Sequence, residues 1–154
     1  MAMDKFVSLV NSAQHYYKVA DHLLYVTYPV VGEVKLLLTI VENLYRAGIN
    51  VMNAVLHYEQ IHKRITVLPS SFEERFGVSQ KVAKKHKIGE ETLQTIKELK
   101  IIMDEHKSSA MEFSRSGKYV ITAGDFKLKT LDVKLLKNYL GNVSSVISKM
   151  GELK

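Results

Sequence analysis

The sequence predicts an all-α fold: an antiparallel four-helix bundle with a short helical insertion and a small β-hairpin before the C-terminal helix. Three observations carry this. Apolar residues recur at steps of three and four through four long stretches. Pro29, Pro69 and Gly89 punctuate the chain where those stretches begin or end. The period changes in one place, after Lys118, where β-branched and aromatic residues gather. A chain of 154 residues with 46% apolar and 25% charged content can bury a core as a single domain, 1–154.

The stretch Gly32 to Ile65 is the centre of the predicted fold. On a helical wheel Lys35, Glu42, Asn43, Arg46, Asn50, Asn53, His57, Gln60 and Arg64 fall within one arc of about 100°. Apolar residues such as Leu37, Leu38, Val41, Leu44, Val51, Met52 and Val55 fill most of the rest. A surface helix has the reverse balance, so this one should be touched by neighbours on two or three sides. Gly48 lies on its apolar side and costs about 1 kcal/mol relative to alanine. Close approach of another helix is the expected gain.

In chain order, Asp4 to Tyr28 has helical period, and Pro29 should stop it at Tyr28. The short link to Gly32 makes the first two helices an antiparallel hairpin. Pro69 prevents a continuous helix, and Ser70 to Glu74 holds two overlapping capping boxes. A short helix should start there and falter near Gly77, with a second one over Val78 to Lys87. Glu90 and Glu91 open a long helix with acids where the dipole favours them. Its stripe, Leu93, Ile96, Leu99, Met103, His106, Ala110 and Phe113, should run to about Ser114. Lys118–Thr122 and Phe126–Thr130 around Ala123-Gly124-Asp125 read as the hairpin. Thr130 is the expected cap of the last helix, Leu131 to about Met150.

Composition excludes several chemistries. There is no cysteine, hence no disulfide, thiolate metal site or cysteine nucleophile. Such a chain fits the cytoplasm. Met1 to Ser8 lacks the apolar run of a signal peptide, and no apolar run reaches the 18 residues that suggest a membrane span. The net charge of +6 gathers late: Ser108 to Lys154 holds eight basic and four acidic residues. That permits a nucleic-acid partner without naming one.

No phosphate-loop, dinucleotide or HExxH motif is present. His15 and His22 are about two turns apart, too far for one metal ion. No cofactor, metal or catalytic residue is expected. Three features remain. Glu42, Asn43, Arg46, Asn50 and Asn53 form a stripe unusually rich in asparagine for a solvated helix face. It reads either as a hydrogen-bonding face for a ligand, partner helix or dimer mate, or as a solvated stripe. His106 sits on an apolar stripe and should be a packed histidine with a single partner. Lys81, Lys84, Lys85 and Lys87 form one basic patch and Lys118, Lys127 and Lys129 another. Tyr119 and Phe126 could stack bases beside the second. Lysines that merely protect a sheet edge are the plainer alternative.

The long antiparallel pair, the Glu42-Asn43-x-x-Arg46 stripe and Glu112-Phe113-Ser114-Arg115 after the third long helix resemble uncharacterised archaeal helical proteins. They are more distantly similar to the HEPN helical-bundle superfamily, over about Asp4 to Ser114. That resemblance implies ribonucleases or partners of nucleotidyltransferases. The superfamily's ribonucleases carry Arg, four to six residues, then His; none of Arg46, Arg64, Arg75 and Arg115 has His at that spacing. The expectation is therefore a non-enzymatic interaction or scaffold protein. It would act as a homodimer, the width of the apolar arc on the central helix being the motive, or with another protein. The alternatives are a nucleic-acid-associated protein using the lysine patches, or a HEPN-like ribonuclease or nucleotide-binding bundle.

Overall fold

The computed structural model describes residues 2–124 and 127–154. It is predominantly helical with one small antiparallel sheet. Helix α1 (Ala2–His22) runs into a π-helical turn, Leu23–Thr27, and then into a short helix α2 (Tyr28–Val31). The helix therefore does not stop at Tyr28 as expected. Tyr28 keeps helical angles, φ −60° and ψ −44°, and its N–H bonds Leu23 O, five residues back. The α ladder has already been given up when Pro29, which has no N–H, arrives. Gly32 ends the segment in the left-handed region at φ +68°, its N–H 2.8 Å from Tyr28 O.

Helix α3 (Leu36–Ile61) is the predicted central helix. It packs against α1 and, later in the chain, against helices α4 (Phe72–Val82), α5 (Glu90–Ser108) and α6 (Val133–Gly151). Thirteen of its residues are buried, from Leu37 round to Glu59. Its wide apolar arc is thus covered from within the chain, and the arc gives no reason to invoke a dimer mate. Phe6 meets Tyr58 and Tyr16 meets Arg46, so α1 and α3 are antiparallel as expected. At Gly48 a Cβ would stand 3.1 Å from Ile96 Cγ1. The glycine lets α5 close on α3.

Two helix ends share one cap geometry. Lys63 N–H bonds Gln60 O and Arg64 N–H bonds Glu59 O, with Lys63 at φ +58°. Lys87 N–H bonds Lys84 O and Ile88 N–H bonds Ala83 O, with Lys87 also at φ +58°. Both are Schellman motifs carrying lysine where glycine is usual. Between them Ser71 caps α4, its Oγ accepting from Glu74 N–H at 3.2 Å. One continuous α4 replaces the two short helices expected, and Gly77 lies inside it. A helix-interior glycine costs about 1 kcal/mol, too little to end a helix that buries Phe76 and Ser79.

Helix α5 ends six residues earlier than expected, at Ser108. Glu112–Arg115 is strand β1, paired with β2 (Lys118–Thr122), which pairs with β3 (Leu128–Leu131) in the order β1-β2-β3. The sheet therefore has three strands where a two-stranded hairpin was expected. The overlooked signal is Ser116-Gly117: φ +51° and +76° give the two positive values of a type I′ turn between Arg115 and Lys118. The expected turn residue Asp125 and strand residue Phe126 lie outside the described residues. Leu131 is still in the sheet, so Asp132 rather than Thr130 caps α6, its Oδ1 2.8 Å from Leu135 N. Tyr139 OH donates to Glu98 Oε2 at 2.6 Å and Asn142 Nδ2 to Thr95 Oγ1 at 2.9 Å, which sets α5 and α6 antiparallel. Among the described residues no helix is long and apolar enough to cross a membrane.

Gly48→Val should destabilise the fold by about 1–3 kcal/mol, because the branched side chain meets Ile96 without room to relax. Urea unfolding is the check; a midpoint equal to the wild type would mean that α3 and α5 are not in close contact there.

Candidate functional site

The polar stripe of α3 is divided among separate partners. Asn43 Nδ2 donates to Thr39 O at 2.9 Å and Asn50 Nδ2 to Arg46 O at 2.8 Å. Both amides thus bond the carbonyl one turn back on their own helix. Glu42 is half-buried, and Arg46 is exposed with its guanidinium 5.7 Å from the centre of the Tyr16 ring. Asn53 faces α4 instead: its Oδ1 accepts from Arg75 Nη1 at 2.7 Å, while Arg75 Nε donates to Pro69 O at 2.6 Å. An open groove of about 520 Å³ is lined by α1 residues including Asp4, Asn11, His15 and Tyr16, with none of the five stripe residues.

Among the described residues, several polar side chains converge on a single carboxylate at two other places. Glu59, fully buried near the end of α3, accepts from His86 Nε2 at 2.6 Å and from Arg64 Nη1 at 3.3 Å. Lys85 Nζ lies 3.7 Å from its other oxygen. His62 and His86, the capping residues of the two Schellman motifs, both make T-shaped ring contacts with Tyr58. Burial opposes the charge on Glu59; the His86 hydrogen bond and then Arg64 and Lys85 outweigh it and hold the carboxyl below its ordinary range. The node joins α3, the following loop and the end of α4. Lys85, expected in a basic patch, is in part the counter-ion of this acid.

Glu112 in β1 is the second centre. His106 Nδ1 stands 2.6 Å from Oε2, Ser109 Oγ donates to Oε2 at 2.7 Å, and Tyr119 OH donates to Oε1 at 2.7 Å. Among the described residues the His106 ring has the single hydrogen-bond partner expected, but it is half-buried rather than packed, and it stands beside an acid and the Ser109 hydroxyl that shares that acid. Burial opposes the Glu112 charge, and the Tyr119, His106 and Ser109 hydrogen bonds overcome it and lower its pKa. The phenol responds the opposite way: burial, then its bond to Glu112, pushes Tyr119 up to about 12. The Ser109 hydroxyl points to the acid rather than to the imidazole, so the trio lacks the nucleophile-to-base bond that nucleophilic catalysis requires. It locks the end of α5 to the sheet.

The lysine patches do not make one surface. Lys81, Lys84, Lys85 and Lys87 are exposed at the end of α4, and Lys149 Nζ of α6 bonds Lys87 O. A cation at a helix C-terminal carbonyl offsets its partial negative charge. In the sheet, alternation sends Lys118 to one face and Lys129 to the other, because Lys129 pairs with Ile121 while Lys118 precedes the buried Tyr119. Tyr119 is 6% exposed and bonded to Glu112, which removes it as a stacking platform. Phe126 lies outside the described residues, and Lys127 is exposed before β3. Phe113 and Arg115, on the outward sheet face, were not among the residues expected at a site. Their signal was the Ser116-Gly117 turn, which fixes β1 and hence which side chains share a face.

Two pH dependences follow from these carboxylates and the phenol. A lowered carboxyl pKa means the unfolded chain takes up protons first, so the contribution of Glu59 and Glu112 is full above the ordinary carboxyl pKa, 4.5, and fades as pH falls below it. Glu59→Gln and Glu112→Gln should each flatten the acid limb of a stability-against-pH curve and lower stability at pH 7 by about 1–3 kcal/mol. A raised phenol pKa acts in the alkaline range: stability held below 10 should decline as pH rises from 10 towards 12, and Tyr119→Phe should reduce that decline. Urea melts between pH 3 and 11 measure both; curves parallel to the wild type would separate these groups from the titration.

Comparison with protein-family models, with curated proteins and with solved structures found no match.

Proposed function

We propose that the chain is a non-enzymatic interaction protein that pairs with a second copy of itself through the outer end of its first helical hairpin. One observation supports this reading. Tyr25, Val26, Val30 and Val31 are 50%, 52%, 84% and 58% exposed on the π turn and α2. Contiguous apolar side chains of this size on a soluble surface mark interaction sites, and π-helical turns inside α-helices occur often at functional ones. From Leu23 to Gly32 there is no charged residue, although the whole chain carries +6. Two like-charged copies can approach where the surface is neutral, and identical apolar patches are self-complementary in a two-fold dimer. Lys137 Nζ, 5.3 Å from the centre of the Tyr25 ring, edges the patch with one cation.

Both clusters of polar groups are saturated by their own neighbours, which favours binding over chemistry as the use of this fold. A chain without cysteine suits a reducing compartment, and the proposed setting is the cytoplasm. The four-helix-bundle class and the resemblance to archaeal HEPN-like proteins belong to the same proposal, with the superfamily's Arg–His catalytic pair absent.

Sedimentation at micromolar concentration should give a species near twice 17.5 kDa, and Val30→Asp should shift it to a monomer without changing the helical circular dichroism signal. A wild-type monomer, or a dimer indifferent to Val30→Asp, overturns the reading.

A further inference from the structure

The sheet has two unlike faces. Glu112, Tyr119, Ile121, Lys129 and Leu131 share the face whose Ile121 and Leu131 are fully buried in the core. The other face carries Phe113, Arg115, Lys118, Val120, Leu128 and Thr130, which with Ser116 line a groove of about 280 Å³. Val120, opposite both Phe113 and Thr130 in register, is 6% exposed and forms the floor. Arg115 and Lys118 are direct cross-strand partners beside the turn, and both are exposed. Neither makes an ion pair among the described residues, and no described strand residue of this face is acidic.

We infer that this groove binds single-stranded nucleic acid, with a base lying against Phe113 and the adjoining phosphates at Arg115 and Lys118. The chemistry required is a planar apolar ring bearing a flanking negative charge. A half-buried aromatic ring on an apolar floor accepts a base face, and every base has one, so sequence preference should be weak. Two cations without an ion pair among the described residues meet the phosphates: arginine presents a fork and lysine a point charge. Thr130 adds a hydroxyl that can donate or accept. A duplex keeps its base faces stacked on one another and offers phosphates alone, so the single strand is the better fit. An anionic membrane surface would use the cations but has no flat ring to fill a concave groove, and an acidic peptide has the same lack. This site shares no residue with the self-association surface at Tyr25–Val31, so either reading can fail without the other.

The test is fluorescence anisotropy of a fluorescein-labelled ten-nucleotide oligothymidine against the full chain, over a salt series. The single strand should bind more tightly than a duplex of equal length. Phe113→Leu, which keeps an apolar side chain on the floor, should weaken binding about ten-fold while Phe113→Tyr, which keeps the ring, should not. Arg115→Glu with Lys118→Glu should weaken it further and reduce the slope of log affinity against log salt by about 0.7 for each phosphate no longer engaged. Lys81→Glu with Lys84→Glu, on the other basic patch, should have little effect. Because the chain has no tryptophan, Phe113→Trp supplies a direct reporter whose emission should be quenched by the oligonucleotide. The inference is overturned if low salt gives no binding, if the duplex, poly-glutamate or anionic vesicles bind as well as the single strand, if Phe113→Leu binds like the wild type, or if Lys81 and Lys84 matter as much as Arg115 and Lys118.

Discussion

A helix that is apolar around most of its circumference has to be enclosed, and the enclosure of α3 governs this fold. Helices α1, α4, α5 and α6 all lie against it. Each brings its own apolar stripe, so one surface area is removed from water on both partners, at about 25 cal/mol per Å². Gly48 marks how tightly this is done, since a single methyl group there would press on Ile96. The same enclosure explains why the polar stripe is interrupted: Asn53 is drawn into contact with Arg75 of α4, while Asn43 and Asn50, away from it, turn back onto their own helix.

Enclosure strands polar groups, and at two places the protein answers with a carboxylate saturated by its neighbours. Glu59 is inside because α3 continues under α4, and an unpaired buried charge would be severely destabilising. His86, Arg64 and Lys85 reach it from two separate turns, so the charge is matched only when those turns are correctly placed. Glu112 does the same for the α5–sheet junction with an imidazole and two hydroxyls. Both are satisfied internally, which makes them fasteners. The exposed surfaces are of other kinds: the uncharged apolar end around Val30, and the sheet face where Arg115 and Lys118 make no ion pair among the described residues.

Local chemistry made much of the fold legible in advance. The 3.6-residue period found the long helices, because a face that packs must repeat once per turn whatever it packs against. The wide arc of α3 foretold an enclosed helix, and Gly48 on that arc foretold close approach. Ser71 was visible as a cap because a capping side chain bonds within three residues of itself. Errors were local in another sense. Pro29 does lack its N–H, yet a π turn absorbed the defect, and the 3.6-residue stripe ran on through Ala110 and Phe113 although α5 had ended at Ser108 and Phe113 lies in β1, since a stripe and an alternation coincide over so few residues.

What the sequence determined by itself was therefore what depends on neighbours along the chain: helical period, caps, turn chemistry, the lack of cysteine and the positive charge. What only the tertiary structure decided was which side chains meet. Glu59, Arg64 and His86 are separated by up to 27 positions, and no spacing rule joins them until two helix ends are brought together. Lys118 and Lys129 look like one patch in the sequence and lie on opposite faces of the sheet, because register and strand alternation assign faces, and a shift of one residue would exchange them. The width of the α3 arc could not say whether its cover came from this chain or from a second copy: burial is the same physical demand in either case, and only the packed structure shows that the chain supplies the cover itself.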